Sequence, residues 1–114
     1  MSLERVLKIL TDFGLSQESA RVYIYMAKTR PQNTEDLATG LNMNKRQINN
    51  ILDALAEKGV VTSRPEFSGV FSALAFEELI NLYIKVNMER AQIIEESKDE
   101  ILQAWRNMTE KSNS

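Results

Sequence analysis

The sequence predicts a mainly α-helical protein with one small β-hairpin. Four segments before residue 59 carry apolar residues at helical spacing. Two short β-branched runs follow, separated by residues typical of a turn. The stretch from 76 to about 108 contains neither glycine nor proline, which favours one long helix. With 114 residues the chain has room for one domain of ordinary size and an extension.

The first two helices are predicted from apolar spacing and from the residues at their ends. The first covers about 3–12 and ends before Gly14, where a glycine can adopt a left-handed cap. The second begins after Ser16, a good N-cap, and stops before Pro31, which cannot continue a helix. Its middle is apolar on nearly every side, so we expect it to be the buried central helix.

Two further helices are separated by a tight connection. Asn33 or Thr34 is expected to cap a short third helix of about two turns, and 40–43 form the connection after it. The fourth covers 44–58, with Asn44 as its N-cap and Gly59 after its end. Its apolar residues form one stripe, which should face the core: Ile48, Ile51, Leu52 and Leu55.

The order of these elements is that of a winged helix-turn-helix domain followed by one long C-terminal helix. Three of these helices, the last two joined by a short turn, form a helical unit that is followed by a hairpin predicted at 60–74. In that fold the helix after the turn enters the DNA major groove, and the hairpin, or wing, lies along the backbone or the minor groove. We therefore expect a DNA-binding domain at 1–75 and a dimerisation helix at 76–114.

Two stretches of the domain resemble the TrmB family of archaeal transcriptional regulators. FGLS at 13–16 and ESARVY at 18–23 are similar to the family's opening, and ILDALAEKGVV at 51–61 is similar to its ending. The resemblance implies a winged-helix regulator, here of a short form without the sugar-binding domain of larger members, so that sugar sensing is not implied. Because the family commonly has a tyrosine where Asn49 stands, its base contacts are not transferred.

The outer face of the fourth helix is the main candidate for DNA contact. Arg and Lys can pair with guanine, and Asn or Gln can grip adenine with both ends of the amide. Asn also favours helix less than the Glu, Lys or Ala of an ordinary solvated face, which is the alternative interpretation. The candidates on this helix are Asn44, Lys45, Arg46, Gln47, Asn49 and Asn50.

The wing supplies two more candidates, Arg64 and Ser68. Arg64 could enter a narrow minor groove, and Ser68 could bond a phosphate. A plain surface turn is the alternative, and the nearby Glu66 favours it.

The long C-terminal helix is predicted to form a homodimer. Apolar residues recur along it at heptad spacing, and a symmetric partner would remove them from water. The first helix could join the same interface. The candidates are Leu3, Leu7, Leu79, Tyr83, Val86, Asn87, Ile94, Ile101, Trp105 and Met108.

Composition argues against several other classes of protein. The chain has no Cys and no His, which removes disulfides, common zinc sites and imidazole catalysis. The sequence offers no catalytic set, so we expect no enzyme, no metal site and no cofactor. No apolar run approaches the length of a membrane span, and the N-terminus lacks signal-peptide features, which predicts a cytoplasmic protein.

The net charge of −2 does not by itself indicate nucleic acid. Residues 1–75 hold nine basic and eight acidic residues, whereas 76–114 hold five and eight, so the acidity belongs to the C-terminal part. We therefore expect sequence-specific binding of double-stranded DNA by a homodimeric transcriptional regulator, with any small-molecule effector unknown. The alternatives are a winged-helix protein-interaction module and a sequence-indifferent chromatin protein.

Overall fold

A computed structural model describes residues 3–63 and 69–110. These residues form two compact units, one ending at Leu79 and the other beginning at Ile80. The elements are α1 (Leu3–Asp12), α2 (Gln17–Lys28), β1 (Gln32–Asn33), α3 (Thr34–Leu41), α4 (Lys45–Glu57), β2 (Val61–Ser63), β3 (Val70–Ala73), α5 (Phe76–Glu96) and α6 (Lys98–Thr109). The fold class is the predicted one, because the chain is mostly helical and has a small antiparallel sheet.

The helix starts follow the predicted capping residues. Ser16 accepts a hydrogen bond from the backbone N–H of Ser19 at 3.0 Å, which caps α2. Asn33 caps α3 by accepting from the N–H of Asp36 at 2.7 Å, and Asn44 caps α4 by accepting from the N–H of Gln47 at 2.8 Å. Each cap satisfies one of the backbone donors that a helix start leaves without an intrahelical partner.

The sheet has three strands, whereas the sequence predicted only a two-stranded hairpin. β3 lies between β2 and β1 and is antiparallel to both, with Val61 opposite Ala73 and Gln32 opposite Phe71. The strand missed by the prediction, β1, is two polar residues long and carries no β-branched or alternating pattern. Its pairing with β3 fixes the chain between α2 and α3 against the wing.

One hydrophobic core holds the first unit together. All three helices α2, α3 and α4 contribute to it, as do α1, the start of β2 and the first turn of α5. Its largest fully buried side chains are Tyr23, Leu10, Leu37, Ile48, Leu52, Leu55 and Leu79. The Tyr23 hydroxyl donates to the Leu74 carbonyl oxygen at 2.6 Å, and burial raises the pKa of Tyr23 to about 12.

The second unit is helical but not one continuous helix, which corrects the prediction. Ser97 separates α5 from α6, with φ −102° and ψ 9°, and its side chain accepts no capping hydrogen bond from the start of α6. Serine favours helix weakly. Acidic pairs also lie four residues apart across it, Glu95 with Asp99 and Glu96 with Glu100, and like charges at that spacing destabilise a helix.

No helix in the ranges 3–63 and 69–110 combines the length and the apolar character that crossing a membrane requires. The same part of the chain has no group of three or more Asp and Glu side chains arranged to hold a metal ion.

Candidate nucleic-acid interface

The packing of α4 determines which of its residues can meet a ligand. Ile48, Ile51, Leu52 and Leu55 are buried against α2 and α3, as their spacing predicted. Because the helix repeats every 3.6 residues, this stripe leaves the opposite face pointing outward. The outward face is centred on Arg46, Asn50 and Asp53, all of which are exposed.

The turn before α4 holds it at a fixed angle to α3. Asn42 adopts a left-handed conformation, with φ 57° and ψ 47°, and its N–H is bonded to the carbonyls of Ala38 and Thr39. Asparagine tolerates this conformation better than most residues. The Arg21 guanidinium of α2 donates to the Leu41 carbonyl at 3.2 Å, which ties the end of α3 to the central helix. These hydrogen bonds hold the turn of a helix-turn-helix between α3 and α4.

Two amide side chains at the edges of the outward face are bonded to neighbouring helices. The Gln47 side chain donates through Nε2 to Oε2 of Glu18, in the first turn of α2, at 2.9 Å. The Thr34 hydroxyl, at the start of α3, donates to Oδ1 of Asn49 at 3.3 Å. Neither Glu18 nor Thr34 is among the residues that the sequence predicted for this surface. Their partners lie 29 and 15 residues away along the chain, so no local pattern could have indicated them.

The predicted DNA-contacting residues of α4 lie on one surface of the first unit. Lys45, Arg46, Asn49 and Asn50 are exposed, and Gln47 is half-buried. Asn44 is exposed, with its side-chain oxygen engaged in the cap. Whether these residues touch DNA stays a prediction.

The wing is described only in part. β2 and β3 pair as far as Ser63 opposite Phe71, so the hairpin lies within the predicted 60–74. Arg64 and Ser68, the two candidates at its tip, lie outside the described residues.

The charge on this surface is mixed. Between positions 44 and 53 the chain carries Lys45 and Arg46 against Asp53, a balance of +1, and Glu18 contributes a further carboxylate through Gln47. Recognition here would therefore depend on hydrogen bonding at least as much as on a basic field.

The residues predicted for the dimer interface are exposed or half-buried, with one exception. Leu3, Asn87, Ile94, Ile101, Trp105 and Met108 are exposed, and Leu7, Tyr83 and Val86 are half-buried. Leu79 is 0% exposed because it packs in the core of the first unit. Its assignment to a dimer interface was wrong, since the side chain has no surface left for a partner.

An open groove of about 890 Å³ lies on the first unit between α1, α2 and the end of α3. Leu3 and Leu7 line it from α1, and Ile24 and Tyr25 line it from α2. The prediction that α2 is the buried central helix therefore holds for its core face, while this second apolar side is only half-buried.

Comparison with known proteins identifies a family over most of the first unit. The model of the family described as "Sugar-specific transcriptional regulator TrmB" matches residues 10–77. No curated protein matches the chain in sequence.

Several solved structures share the fold. TrmBL2, described as an archaeal chromatin protein with a novel mode of DNA binding, is 19% identical with a TM-score of 0.78, and the match covers 95% of this chain and 42% of TrmBL2. The ST1889 protein of the archaeon Sulfolobus tokodaii is 24% identical with a TM-score of 0.62, covering 81% and 99% of the two chains. A mutant of the Staphylococcus aureus regulator MepR, bound to an oligodeoxyribonucleotide, is 16% identical with a TM-score of 0.54, covering 94% and 84%.

Proposed function

Because this chain belongs to the TrmB family of transcriptional regulators, we propose that it binds specific sequences of double-stranded DNA as a homodimer. Helix α4 enters the major groove, and the wing at 60–74 lies on the backbone or in the minor groove. The observation that carries the proposal is the outward face of α4, where Lys45, Arg46 and Asn50 are exposed on a helix anchored by a buried stripe.

The individual residues have different parts in this proposal. Arg46 and Asn50 occupy the centre of the outward face, so they are assigned to base edges. Asn44 and Lys45, at the start of α4, are assigned to phosphate, because the side-chain NH₂ group of Asn44 and the ammonium group of Lys45 are donors to phosphate oxygens. Gln47 and Asn49, at the two sides of the face, complete the surface, and Arg64 and Ser68 are assigned to the wing contact.

The dimer is proposed on the second unit. Ile94 is 60% exposed, Trp105 is 60% exposed and Met108 is 75% exposed, a set of large apolar side chains that a single soluble chain would not leave in water. A symmetric partner buries the same face of both copies. Leu3 and Leu7, which line the apolar groove of the first unit, are proposed to join this interface.

Selection of bound sequences from a random duplex pool tests the proposal, because a symmetric dimer predicts a palindromic motif with half-sites about one or two helical turns apart. We expect at least about a thousandfold preference for the selected site over a scrambled duplex. Arg46→Ala and Asn50→Ala should each weaken binding to that site by about 1–3 kcal/mol, whereas Asp53→Ala, on the same face, should not weaken it. Equal affinity of the wild type and the Arg46→Ala/Asn50→Ala double variant would remove α4 from the mechanism.

A second candidate function is sequence-indifferent binding of DNA. The similarity in fold to TrmBL2, which is described as a chromatin protein, favours it. Such a protein would bind the selected and the scrambled duplex alike and would lose affinity steeply with salt. Failure to bind either duplex at moderate salt would instead favour a winged-helix protein-interaction module.

A further inference from the structure

The hydrogen bond between Gln47 and Glu18 joins the first turn of α4 to the first turn of α2. The Gln47 Nε2 donates to the Glu18 carboxylate at 2.9 Å. Gln47 is half-buried and Glu18 is exposed, so the pair lies at the edge of the surface proposed to meet DNA.

The chemistry of the partner fixes which end of the amide is bonded. An ionised carboxylate only accepts hydrogen bonds, so Gln47 must turn its NH₂ group, and not its carbonyl oxygen, toward Glu18. In the planar amide the oxygen and the nitrogen leave the same carbon in different directions. The carbonyl oxygen of Gln47 is therefore held on the side away from the carboxylate.

The second tethered amide lacks this property. Thr34 donates to Asn49 at 3.3 Å, but a hydroxyl can donate or accept, so the same contact would survive a reversal of the Asn49 amide. Of these two side chains, Gln47 is the one whose amide orientation is enforced by its partner.

We infer that Glu18 is a positioning residue for base recognition, which holds Gln47 so that its carbonyl oxygen is presented as a hydrogen-bond acceptor in the major groove. The bases with an exocyclic amino donor there are adenine and cytosine. A glutamine without this hydrogen bond could donate to a base or accept from it. The bond to Glu18 restricts Gln47 to accepting. The inference rests on the proposed function, because it names how one residue of that surface discriminates between bases.

The negative charge of Glu18 predicts a measurable effect on DNA affinity that accompanies its effect on base preference. A carboxylate beside the DNA lowers affinity for every sequence, since it repels phosphate. Glu18→Gln removes the charge and supplies a side chain that both donates and accepts, so it releases the orientation of Gln47. The variant should bind unrelated DNA more tightly and should discriminate less well at one base pair.

The test uses the full chain and two matched substitutions. Glu35→Gln, in the first turn of α3, removes one carboxylate in the same way. Comparing the motifs selected by the wild type and by Gln47→Ala identifies the base pair that depends on Gln47. At that pair we expect Glu18→Gln to reduce the preference for adenine or cytosine from about tenfold to about twofold, with other positions unchanged. Glu35→Gln should keep the tenfold preference.

A measurement without DNA separates the two proposals. The Gln47 side-chain NH₂ signals in a ¹⁵N NMR spectrum should shift in Glu18→Gln and stay in place in Glu35→Gln. Unshifted signals in Glu18→Gln would overturn the inference whatever the DNA results are. A retained tenfold preference in Glu18→Gln would also overturn it and would leave the proposed function standing. If the wild type shows no preference between sequences, the proposed function fails and this role of Glu18 fails with it.

Discussion

At the residue scale, Tyr23 links the central helix to the end of the wing. Its ring is 1% exposed, and its hydroxyl donates to the carbonyl oxygen of Leu74 at 2.6 Å. When a carbonyl inside a protein loses its hydrogen-bond donor, neighbouring apolar groups cannot replace the lost interaction, and the folded state is destabilised. This one hydroxyl therefore contributes to the attachment of the hairpin to the helical core.

Tyr23→Phe should lower the free energy of unfolding by about 1–2 kcal/mol, because the partly buried Leu74 carbonyl loses the hydroxyl that donates to it. Chemical denaturation of the two proteins at neutral pH measures the difference. Tyr25→Phe is the control, since Tyr25 is only half-buried and its hydroxyl lies against Gly40. An equal loss in both variants would contradict the role assigned to the Tyr23 hydroxyl.

The raised pKa of Tyr23 predicts how that stability depends on pH. Burial raises the pKa from 10.0 to about 12, so the folded protein holds the phenolic proton more tightly than the unfolded chain. The contribution is fully present below pH 10 and is lost as pH rises through about 12. Tyr23→Phe should lack this component of the alkaline loss of stability, which denaturation at pH 9 and pH 11 would reveal.

At the scale of elements, Asn44 has two separable roles. Its side-chain oxygen caps α4, and its amide nitrogen is the group proposed to meet phosphate. Aspartate keeps the capping oxygen, favours the positive end of the helix dipole and has no donor for phosphate. One substitution can therefore separate folding from binding.

We expect Asn44→Asp to retain the stability of the wild type and to weaken DNA binding about tenfold or more. Asn44→Ala should lower the free energy of unfolding by about 1 kcal/mol, the usual loss on removing an N-cap. Asn33→Asp changes the cap of α3 in the same way and serves as the control. Unchanged DNA affinity in Asn44→Asp would exclude a phosphate contact by its side chain.

The break at Ser97 changes what the heptad pattern can mean. The predicted heptad spacing of Asn87, Ile94, Ile101 and Met108 assumes an uninterrupted helix. Ser97 falls between positions 94 and 101, with backbone angles outside the regular helical range. The apolar surface is therefore divided into one part on α5 and another on α6, and the proposed interface uses both.

At the scale of the whole molecule, the apolar residues of the second unit predict its oligomeric state. Ile94→Glu should weaken the dimer by about 3 kcal/mol or more, about a hundredfold or more in Kd, because a symmetric interface loses two isoleucine side chains at once. Gln103→Glu adds the same charge on a polar position of α6 and should leave association unchanged.

Sedimentation equilibrium over a range of protein concentrations measures this association. A monomeric wild type would contradict the proposed interface, and so would an Ile94→Glu variant that associates as tightly as the wild type. Because two half-sites need two copies, the monomeric variant should also lose affinity for a palindromic duplex while keeping the fold of its first unit.

The sequence by itself determined the four helices of the first unit, the residues that cap them and the inner stripe of α4. These features depend on interactions between residues within a few positions of each other, and the periodicity of the chain displays them directly. The fold class followed from their order, and the resemblance to the TrmB family pointed to the same domain, which the family match over 10–77 confirms.

Only the tertiary structure decided the remaining features. The strand β1 exists because β3 offers it a free edge, and Leu79 belongs to the core because the first turn of α5 packs there. The bond from Gln47 to Glu18 joins residues 29 positions apart, and the bond from Thr34 to Asn49 joins residues 15 apart. Such contacts depend on how helices pack in three dimensions, and no local pattern of residue types encodes that packing.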